Sequence, residues 1–146
     1  MIYLVDIDGT LADLSHRLHF IQKKPADWDG FFAACPHDLP ITDVIDTVRR
    51  LADSGARLVL VTGRSDAVEE PTMDWLLKHG VPWLCIYMRK AGDHREDSVV
   101  KAELLAEIRE DWDNEPILGV FEDRKQVVDM YRSKGLRVFQ VADGNF

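Results

Sequence analysis

Five short, continuous apolar runs recur along the chain, separated by stretches with helical periodicity. Continuous runs are typical of strands covered on both faces, whereas strands with one solvent-exposed face alternate apolar and polar residues. The predicted strands cover residues 2–6, 57–62, 84–88, 117–122 and 137–141. Alternation of such strands with helices predicts a doubly wound, mostly parallel α/β sheet of five strands.

Glycine, proline and serine mark the expected ends of the helices. The first amphipathic stripe ends at Gly55, where a helix C′ glycine is expected. Pro71 suits the first position of the next helix, which Gly80 closes. Two further helices are predicted, one over residues 98–108 with Ser98 as its cap and one over residues 124–134.

Residues 13–39 break this rhythm, because they form a connection longer than an ordinary strand-to-helix loop. The segment carries the aromatic residues Phe20, Trp28, Phe31 and Phe32, which favour a small packed insertion resembling a cap. We therefore expect residues 1–146 to form one domain with this insertion. The pattern GxxxxGK[ST] does not occur, so no kinase domain is predicted.

Composition and charge narrow the classes of protein that fit. A chain of 146 residues, 46% of them hydrophobic, is long enough to bury a real core, and no apolar stretch reaches the length of a membrane span. No signal peptide is visible, and two cysteines without metal-ligand spacing favour a reducing cytoplasm. The net charge of −8 disfavours an extensive duplex-binding surface but is compatible with capture of one phosphate.

Polar residues follow three of the predicted strands. In open α/β sheets, ligands bind beyond the carboxyl ends of the strands, so these residues are expected to meet at one edge. Side chains two apart, such as Asp6 and Asp8, point the same way, and Gly9 allows a tight turn around them. The second strand leads into Thr62, Gly63 and Arg64, and the fourth strand leads into Glu122, Asp123 and Arg124.

Four carboxylates in one cleft repel one another unless a cation lies among them. A divalent ion with oxygen ligands would relieve this repulsion, and Mg²⁺ commonly takes one or two protein carboxylates together with phosphate and water. The ion would also neutralise charge on a transferring phosphoryl group, and a carboxylate could then act as the nucleophile.

Each feature taken alone has a purely structural alternative. Thr62 could cap the following turn, and Gly63 could supply a positive φ. Glu122 and Asp123 could cap a helix. Together, these alternatives must explain why three strand ends carry the same chemistry, so we favour a site.

Cations at predicted helix starts point to an anion. Lys101 falls in the first turn of its helix if Ser98 is the cap, and Arg124 and Lys125 open the last helix. A positive side chain there is repelled by the helix dipole, which costs roughly 0.3–1 kcal/mol per side chain. A lysine that stays in solvent would tolerate this cost. A bound phosphate would turn the conflict into an anion site.

With these residues assembled in order, the chain resembles the haloacid dehalogenase-like phosphatase superfamily. The motifs that carry the resemblance are "DIDGT", "VTGR", Lys101 and "FEDR", and they span the whole chain. The resemblance implies that Asp6 is the nucleophile that becomes the aspartyl phosphate. It also implies that Asp8 is the general acid and base, and that Thr62 and Lys101 hold the phosphoryl oxygens.

The same resemblance implies the metal ligands. Asp6, the backbone carbonyl of Asp8 and Asp123 would bind Mg²⁺, with Glu122 in support. Members of the superfamily often carry two aspartates at the last motif, so the glutamate here leaves open which of the pair is the direct ligand.

A closer similarity is to the 3′-phosphatase domain of phage-type polynucleotide kinases. The stretch "GDHREDSVVK" resembles the segment before that family's motif lysine and places Asp97 four positions before Lys101. Arg17 and Arg64 match the family's substrate-binding arginines. Arg17 could instead be an exposed insertion residue, and Asp97 a helix cap.

These observations lead to a main hypothesis and several alternatives. The main one is a Mg²⁺-dependent phosphomonoesterase acting on the 3′-phosphate of a nucleotide or polynucleotide, without membrane association and with its oligomeric state open. The first alternative is a phosphatase for a small metabolite, such as a nucleoside monophosphate or sugar phosphate. A receiver-like signalling domain is disfavoured because the third strand ends "CIYM", without an acid. A non-catalytic phosphate-binding domain is disfavoured because every motif position is filled.

Overall fold

A central parallel sheet organises the computed structural model, which describes residues 1–144. Seven strands are present in this part of the chain: β1 Ile2–Val5, β2 Ala12–Asp13, β3 Leu39–Pro40, β4 Arg57–Ser65, β5 Cys85–Arg89, β6 Ile117–Arg124 and β7 Val138–Gly144. Five of them form the sheet in the order β5-β4-β1-β6-β7, and every neighbouring pair is parallel. The predicted doubly wound α/β sheet is confirmed.

Helices cover both faces of this sheet. Their bounds are α1 His19–Gln22, α2 Trp28–Ala33, α3 Thr42–Asp53, α4 Glu69–Lys78, α5 Asp97–Asp111 and α6 Lys125–Ser133. Ile45 and Val48 of α3 and Trp75 and Leu76 of α4 pack in one apolar cluster, whereas α5 and α6 pack in a second one. Because two helices lie on each face, the sheet strands are buried on both sides, which explains their continuous apolar runs.

Two strands continue past their predicted ends into the motif residues. β4 was expected to end at residue 62 and β6 at residue 122, but they reach Ser65 and Arg124. The register shifts between Thr62 and Ser65 and between Glu122 and Arg124, so each strand is irregular where it carries polar side chains. Such irregularities re-aim side chains and are common beside functional sites.

Two helix starts differ from the sequence prediction. Pro71 is the third residue of α4, which is tolerated because the first four N–H groups of a helix lack intrahelical acceptors. Ser98 is not a cap but the second residue of α5, which follows Glu96. Lys101 is consequently the fifth residue of α5, beyond the first turn, so the predicted conflict with the helix dipole is wrong for Lys101. Arg124 and Lys125 do stand at the start of α6, as predicted.

Aromatic rings pack against one another within residues 13–39. β2 and β3 pair antiparallel and close the base of this insertion, with Ala12 opposite Pro40. Inside it, the rings of Trp28 and Phe31 meet edge to face with centroids 5.9 Å apart. Phe31 is buried, whereas Trp28 is 40% exposed. Within residues 1–144, no helix has the length and apolar character needed to cross a membrane.

Candidate active site

The strand order reverses beside β1, and the predicted site residues lie at that point. β4 and β5 lie on one side of β1, and β6 and β7 lie on the other. The backbone N–H of Asp6, directly after β1, donates to the carbonyl of Phe121 in β6 at 3.0 Å. The carboxyl ends of β1, β4 and β6 therefore meet at the reversal point, where open α/β sheets bind their ligands.

A tight turn after β1 places the first acidic pair. The carbonyl of Ile7 accepts hydrogen bonds from the backbone N–H groups of Thr10, Leu11 and Ala12 at 3.1, 2.8 and 2.9 Å. Gly9 has a φ of +82°, and a Cβ atom there would overlap the carboxylate of Asp123. The turn thus requires glycine both for its backbone conformation and for the close approach of β6.

Three buried acids form the centre of the site. Asp6, Glu122 and Asp123 each present a carboxylate oxygen, and these oxygens lie within 4.8 Å of one another. Burial and the neighbouring Glu122 raise the pKa of Asp6 well above its ordinary value, and both effects also raise the pKa of Asp123, to about 7. The cluster therefore disfavours its own negative charge, and a hard divalent cation would fit it.

Lys101 reaches into this cluster from α5. Its Nζ donates to Asp6 Oδ1 at 2.6 Å and to Glu122 Oε2 at 2.8 Å, and it lies 3.6 Å from Asp97 Oδ2. Burial alone would lower the pKa of Lys101, but Asp6 and Asp97 outweigh burial and raise it well above the ordinary value. Lys101 is therefore charged, yet one ammonium does not balance the surrounding acids.

Hydrogen bonding distinguishes the two acids of the last motif. Glu122 Oε1 accepts from the backbone N–H groups of Asp123 and Arg124 at 3.0 and 3.1 Å, while its Oε2 accepts from Lys101. Asp123 Oδ1 accepts from the hydroxyl of Thr10 at 3.4 Å. Because both oxygens of Glu122 already accept hydrogen bonds from protein groups, Asp123 is the better candidate for direct contact with a cation.

Asp8 belongs to a separate ionic network on the other side of the turn. Its Oδ1 accepts from Arg17 Nη2 at 2.6 Å and from Arg64 Nη2 at 2.7 Å. Burial would raise the pKa of Asp8, but Arg64 and Arg17 together outweigh burial and lower it to about 2. Asp8 is therefore a carboxylate at neutral pH, and Arg17 and Arg64 bind the same one of its two oxygens.

Asp38 is the second anchor of both arginines, and sequence reasoning missed it. It accepts from Arg17 Nε and Nη2, both at 2.8 Å, and from Arg64 Nη2 at 2.9 Å, and its side chain is fully buried. Its backbone carbonyl accepts from Trp75 Nε1 at 2.9 Å, which ties it to α4. Asp38 lies in the irregular insertion without a motif around it, so no sequence signal pointed to it.

The proposed substrate residues differ in their surroundings. Arg17 is fully buried and its guanidinium lies 4.4 Å from the Phe31 ring centroid, so the alternative of an exposed insertion residue is wrong. Asp97 contacts Lys101 and Arg89 Nη2, the latter at 3.3 Å, and does not cap α5. Arg124 Nη1 lies 3.8 Å from Asp97, so these groups meet at one edge of the cluster.

Gly63 and Thr62 show which structural alternatives hold. Gly63 does not have a positive φ, but a Cβ atom there would overlap the Asp97 carboxylate, so glycine is needed for close approach. Thr62 is fully buried, and its Oγ1 accepts from the backbone N–H of Arg64 at 3.1 Å. The turn-capping alternative is thus seen for Thr62, and its contact with phosphate stays a prediction.

A cleft of about 310 Å³ opens over these residues. Asp6, Asp8, Glu122, Asp123 and Arg124 line one part of it, and Ile21, Trp28, Phe31 and Phe32 of the insertion line another. Thr62 and Lys101 are buried behind the cleft wall. Much of the nearby basic charge is already paired: Arg95 contacts Asp93 and Glu103 at 2.8 and 2.6 Å.

Comparison with known proteins agrees with this geometry. Residues 1–146 match the family model of the polynucleotide kinase PNKP phosphatase domain, a haloacid dehalogenase-type family. The chain belongs to this family, and the enzyme class that its fold and site define is a phosphatase. This confirms the resemblance inferred from the motifs.

Individual relatives extend the comparison. The chain is 32% identical over 132 residues, 88% of its length, to "Putative bifunctional polynucleotide kinase/RNA ligase" of Autographa californica nuclear polyhedrosis virus, of which it spans 17%. It also matches a chain of the Pnkp1/Rnl/Hen1 complex with a TM-score of 0.81 and 30% identity, covering 99% of itself and 47% of that chain. The chain thus corresponds to a part of each of these longer proteins.

A more distant neighbour shares the fold alone. The class C acid phosphatase from Bacillus anthracis aligns with a TM-score of 0.67 at 15% identity, over 99% of this chain and 67% of that one. The shared architecture extends across almost the whole described chain.

Proposed function

We propose that this protein is a Mg²⁺-dependent phosphomonoesterase that removes 3′-phosphate from polynucleotide or nucleotide ends. One observation carries the proposal: Asp6 and Asp123 converge in a buried acidic cluster beside Lys101, in a chain of the PNKP phosphatase family. The buried carboxylates need a cation, and a phosphoryl group next to Asp6 would need the same one.

The donor set fits Mg²⁺. Asp6, Asp123 and the backbone carbonyl of Asp8 would hold the ion, and Glu122 would orient the pair through its contacts with Lys101 and the β6 backbone. These are all oxygen donors, as Mg²⁺ prefers. When bound, the ion would neutralise charge on the phosphoryl oxygens.

In the first step, a carboxylate oxygen of Asp6 attacks phosphorus and the bond from phosphorus to the 3′-oxygen breaks. The product is an aspartyl phosphate and an alkoxide, which takes a proton from Asp8. Lys101, already 2.6 Å from Asp6 Oδ1, stabilises the negative charge on the phosphoryl oxygens, and Thr62 assists. Because Asp8 is a carboxylate at neutral pH, it must take up a proton from solvent before it can donate one to the alkoxide.

In the second step, Asp8 accepts a proton from water, which attacks phosphorus. The bond between phosphorus and the Asp6 oxygen breaks, and inorganic phosphate leaves with the regenerated carboxylate. The proton that Asp8 takes from water replaces the one that it donated to the alkoxide in the first step. Arg17 and Arg64 hold this carboxylate in place, because both donate to one of its oxygens.

Two lines of support favour a nucleic-acid end as substrate. The family is named for polynucleotide kinase, and one structural neighbour is described as part of an RNA repair complex. The insertion is small, so the cleft stays open to the end of a polymer. A role in nucleic-acid repair follows from this proposal, with Arg64, Arg17, Asp97, Gly63 and Arg124 as the substrate-side residues.

The direct test is release of phosphate from a 3′-phosphorylated oligonucleotide, with Mg²⁺ and with EDTA. We expect release that EDTA abolishes and that added Mg²⁺ restores. Turnover that persists in EDTA would refute the metal requirement.

A substrate panel separates the proposal from its main alternative, a small-metabolite phosphatase. Oligonucleotides with a 3′- or a 5′-phosphate, nucleoside 3′- and 5′-monophosphates and a sugar phosphate are compared by kcat/KM. A preference for 3′-phosphates supports the proposal. Equal values across the panel would refute the 3′-end assignment while leaving the phosphatase class intact.

Two further expectations belong to the same proposal. A single domain over residues 1–146 with the insertion at 13–39 is consistent with the continuous sheet. A reducing, cytoplasmic location is consistent with Cys35 and Cys85, which are both free thiols.

A further inference from the structure

We infer that Trp28 is a nucleobase-stacking residue that holds the base of the 3′-terminal nucleotide while its phosphate lies at Asp6. This inference rests on the proposed function and names a subsite for its substrate. Base stacking on an aromatic side chain tolerates any base sequence, because every base has a π-face. The predicted recognition is therefore of a base as such, not of one base over another.

The exposure of Trp28 is the first observation. Its neighbour Phe31 is only 5% exposed, so the aromatic cluster has a buried side, whereas Trp28 remains 40% exposed. Both residues line the same cleft as Asp6. A tryptophan needed only for packing would be expected to bury more of its ring.

The support behind Trp28 is the second observation. Phe31 meets its ring edge to face at 5.9 Å, and Phe32 stacks at 6.1 Å with an interplanar angle of 29°. Asp27, just before the helix that carries these rings, accepts from the backbone N–H of Gly30 at 2.9 Å. The indole is therefore held by its neighbours rather than free to rotate, which lowers the entropy cost of stacking a base on it.

The third observation links this aromatic wall to the reacting centre. The Arg17 guanidinium lies 4.4 Å from the Phe31 ring centroid and donates to Asp8 at 2.6 Å. Trp28 is thus connected through Phe31 and Arg17 to the carboxylate that serves the leaving 3′-oxygen. The cleft volume of about 310 Å³ lies near the lower limit of small-molecule sites, which suits one nucleotide.

The experiment compares two substrates that differ only in the terminal base. One is a 3′-phosphorylated oligonucleotide, and the other carries an abasic tetrahydrofuran-type unit at the phosphorylated end, each made in the deoxyribose and ribose series. Stacking on an aromatic residue is worth about 5- to 150-fold in binding per base. Because Trp28 is only 40% exposed, we expect an effect in the lower part of that range.

We expect Trp28→Ala to lower kcat/KM by about 5- to 20-fold on the complete substrate and by less than about 2-fold on the abasic one. Trp28→Phe keeps a ring and should restore most of the activity, whereas Trp28→Leu keeps apolar bulk without a ring and should not. These two variants also preserve packing if the alanine variant folds poorly. Leu77→Ala, at a 68% exposed apolar residue of α4, is the control and should change neither value.

Two results would overturn the inference. Equal losses on both substrates, or full activity of Trp28→Leu, would mean that Trp28 only packs the insertion. Failure of the wild-type protein to release phosphate from either oligonucleotide, with turnover of p-nitrophenyl phosphate intact, would refute the 3′-end proposal, and the inference with it. The first pair of results leaves the proposed function standing.

Discussion

Removing the charge of Asp38 should destabilise the protein, although Asp38 does not touch the acidic cluster. In Asp38→Asn, Arg17 and Arg64 lose a fully buried counter-ion that accepts three guanidinium hydrogen bonds of 2.8–2.9 Å. Breaking a buried ion pair from one side costs about 3–5 kcal/mol. The amide retains one acceptor oxygen, so we expect a loss of about 3 kcal/mol in the free energy of unfolding.

Thermal unfolding measures this loss. For a domain of this size, about 3 kcal/mol corresponds to a fall in Tm of roughly 6–12 °C. The matched control is Asp46→Asn, which removes an exposed partner of Arg49 in a surface ion pair. Such pairs contribute little, so Tm should change by no more than about 2 °C.

The phosphatase activity of Asp38→Asn tests the same network in a second way. Arg17 and Arg64 also position Asp8, so Asp38→Asn should lower kcat/KM by about 100-fold or more, equivalent to about 2.7 kcal/mol of transition-state stabilisation. A variant with wild-type Tm and kcat/KM would show that the two arginines do not depend on Asp38, and the network described above would be wrong.

Three further predictions concern the acidic cluster and Asp8. Lys101→Met removes a buried cation from among acids, so Tm in EDTA should fall by roughly 6–12 °C. Phosphatase activity should fall at least about 100-fold. An unchanged Tm would contradict the charged state of Lys101. Mg²⁺ at about 100 times its Kd should stabilise the wild-type protein by about 2.7 kcal/mol, which corresponds to a rise in Tm of about 5–11 °C. Asp123→Asn should lack this rise. An equal rise in both proteins would refute Asp123 as a ligand. The lowered pKa of Asp8 means that its contribution, roughly 2 kcal/mol relative to Asp8→Asn, is present above about pH 4 and is lost as pH falls to about 2. Urea unfolding of the wild-type protein and of Asp8→Asn between pH 2 and 6 measures the difference in their free energies of unfolding. A difference that stays constant with pH would contradict the pKa shift.

The sheet and the convergence of its strand ends could be predicted because both follow from short-range patterns. Strands buried on both faces must be apolar throughout, and parallel strands bring their carboxyl ends to one edge. Asp6, Asp8, Glu122 and Asp123 lie directly at such ends, so their proximity needed no knowledge of the loops.

The arginine network could not be predicted in the same way. Arg17 was suggested by resemblance, but its partner Asp38 lies 21 positions later in an irregular segment that no periodicity describes. The placement of Lys101 was misjudged because its helix starts one residue before Ser98. Its charge is stabilised by Asp97, four positions earlier, and by Asp6, 95 positions earlier, and not by a helix terminus. The Arg17–Asp38 and Lys101–Asp6 pairs are set by tertiary packing, which local sequence does not encode.

The most direct measurement is phosphate release from a 3′-phosphorylated oligonucleotide by the wild-type protein and by Asp6→Asn, both with saturating Mg²⁺. Circular dichroism first establishes that the variant is folded. If Asp6 is the nucleophile, the variant should lose at least about 1,000-fold in kcat, about 4 kcal/mol of the barrier reduction. A folded Asp6→Asn protein that releases phosphate within about 10-fold of the wild-type rate would contradict covalent catalysis at Asp6.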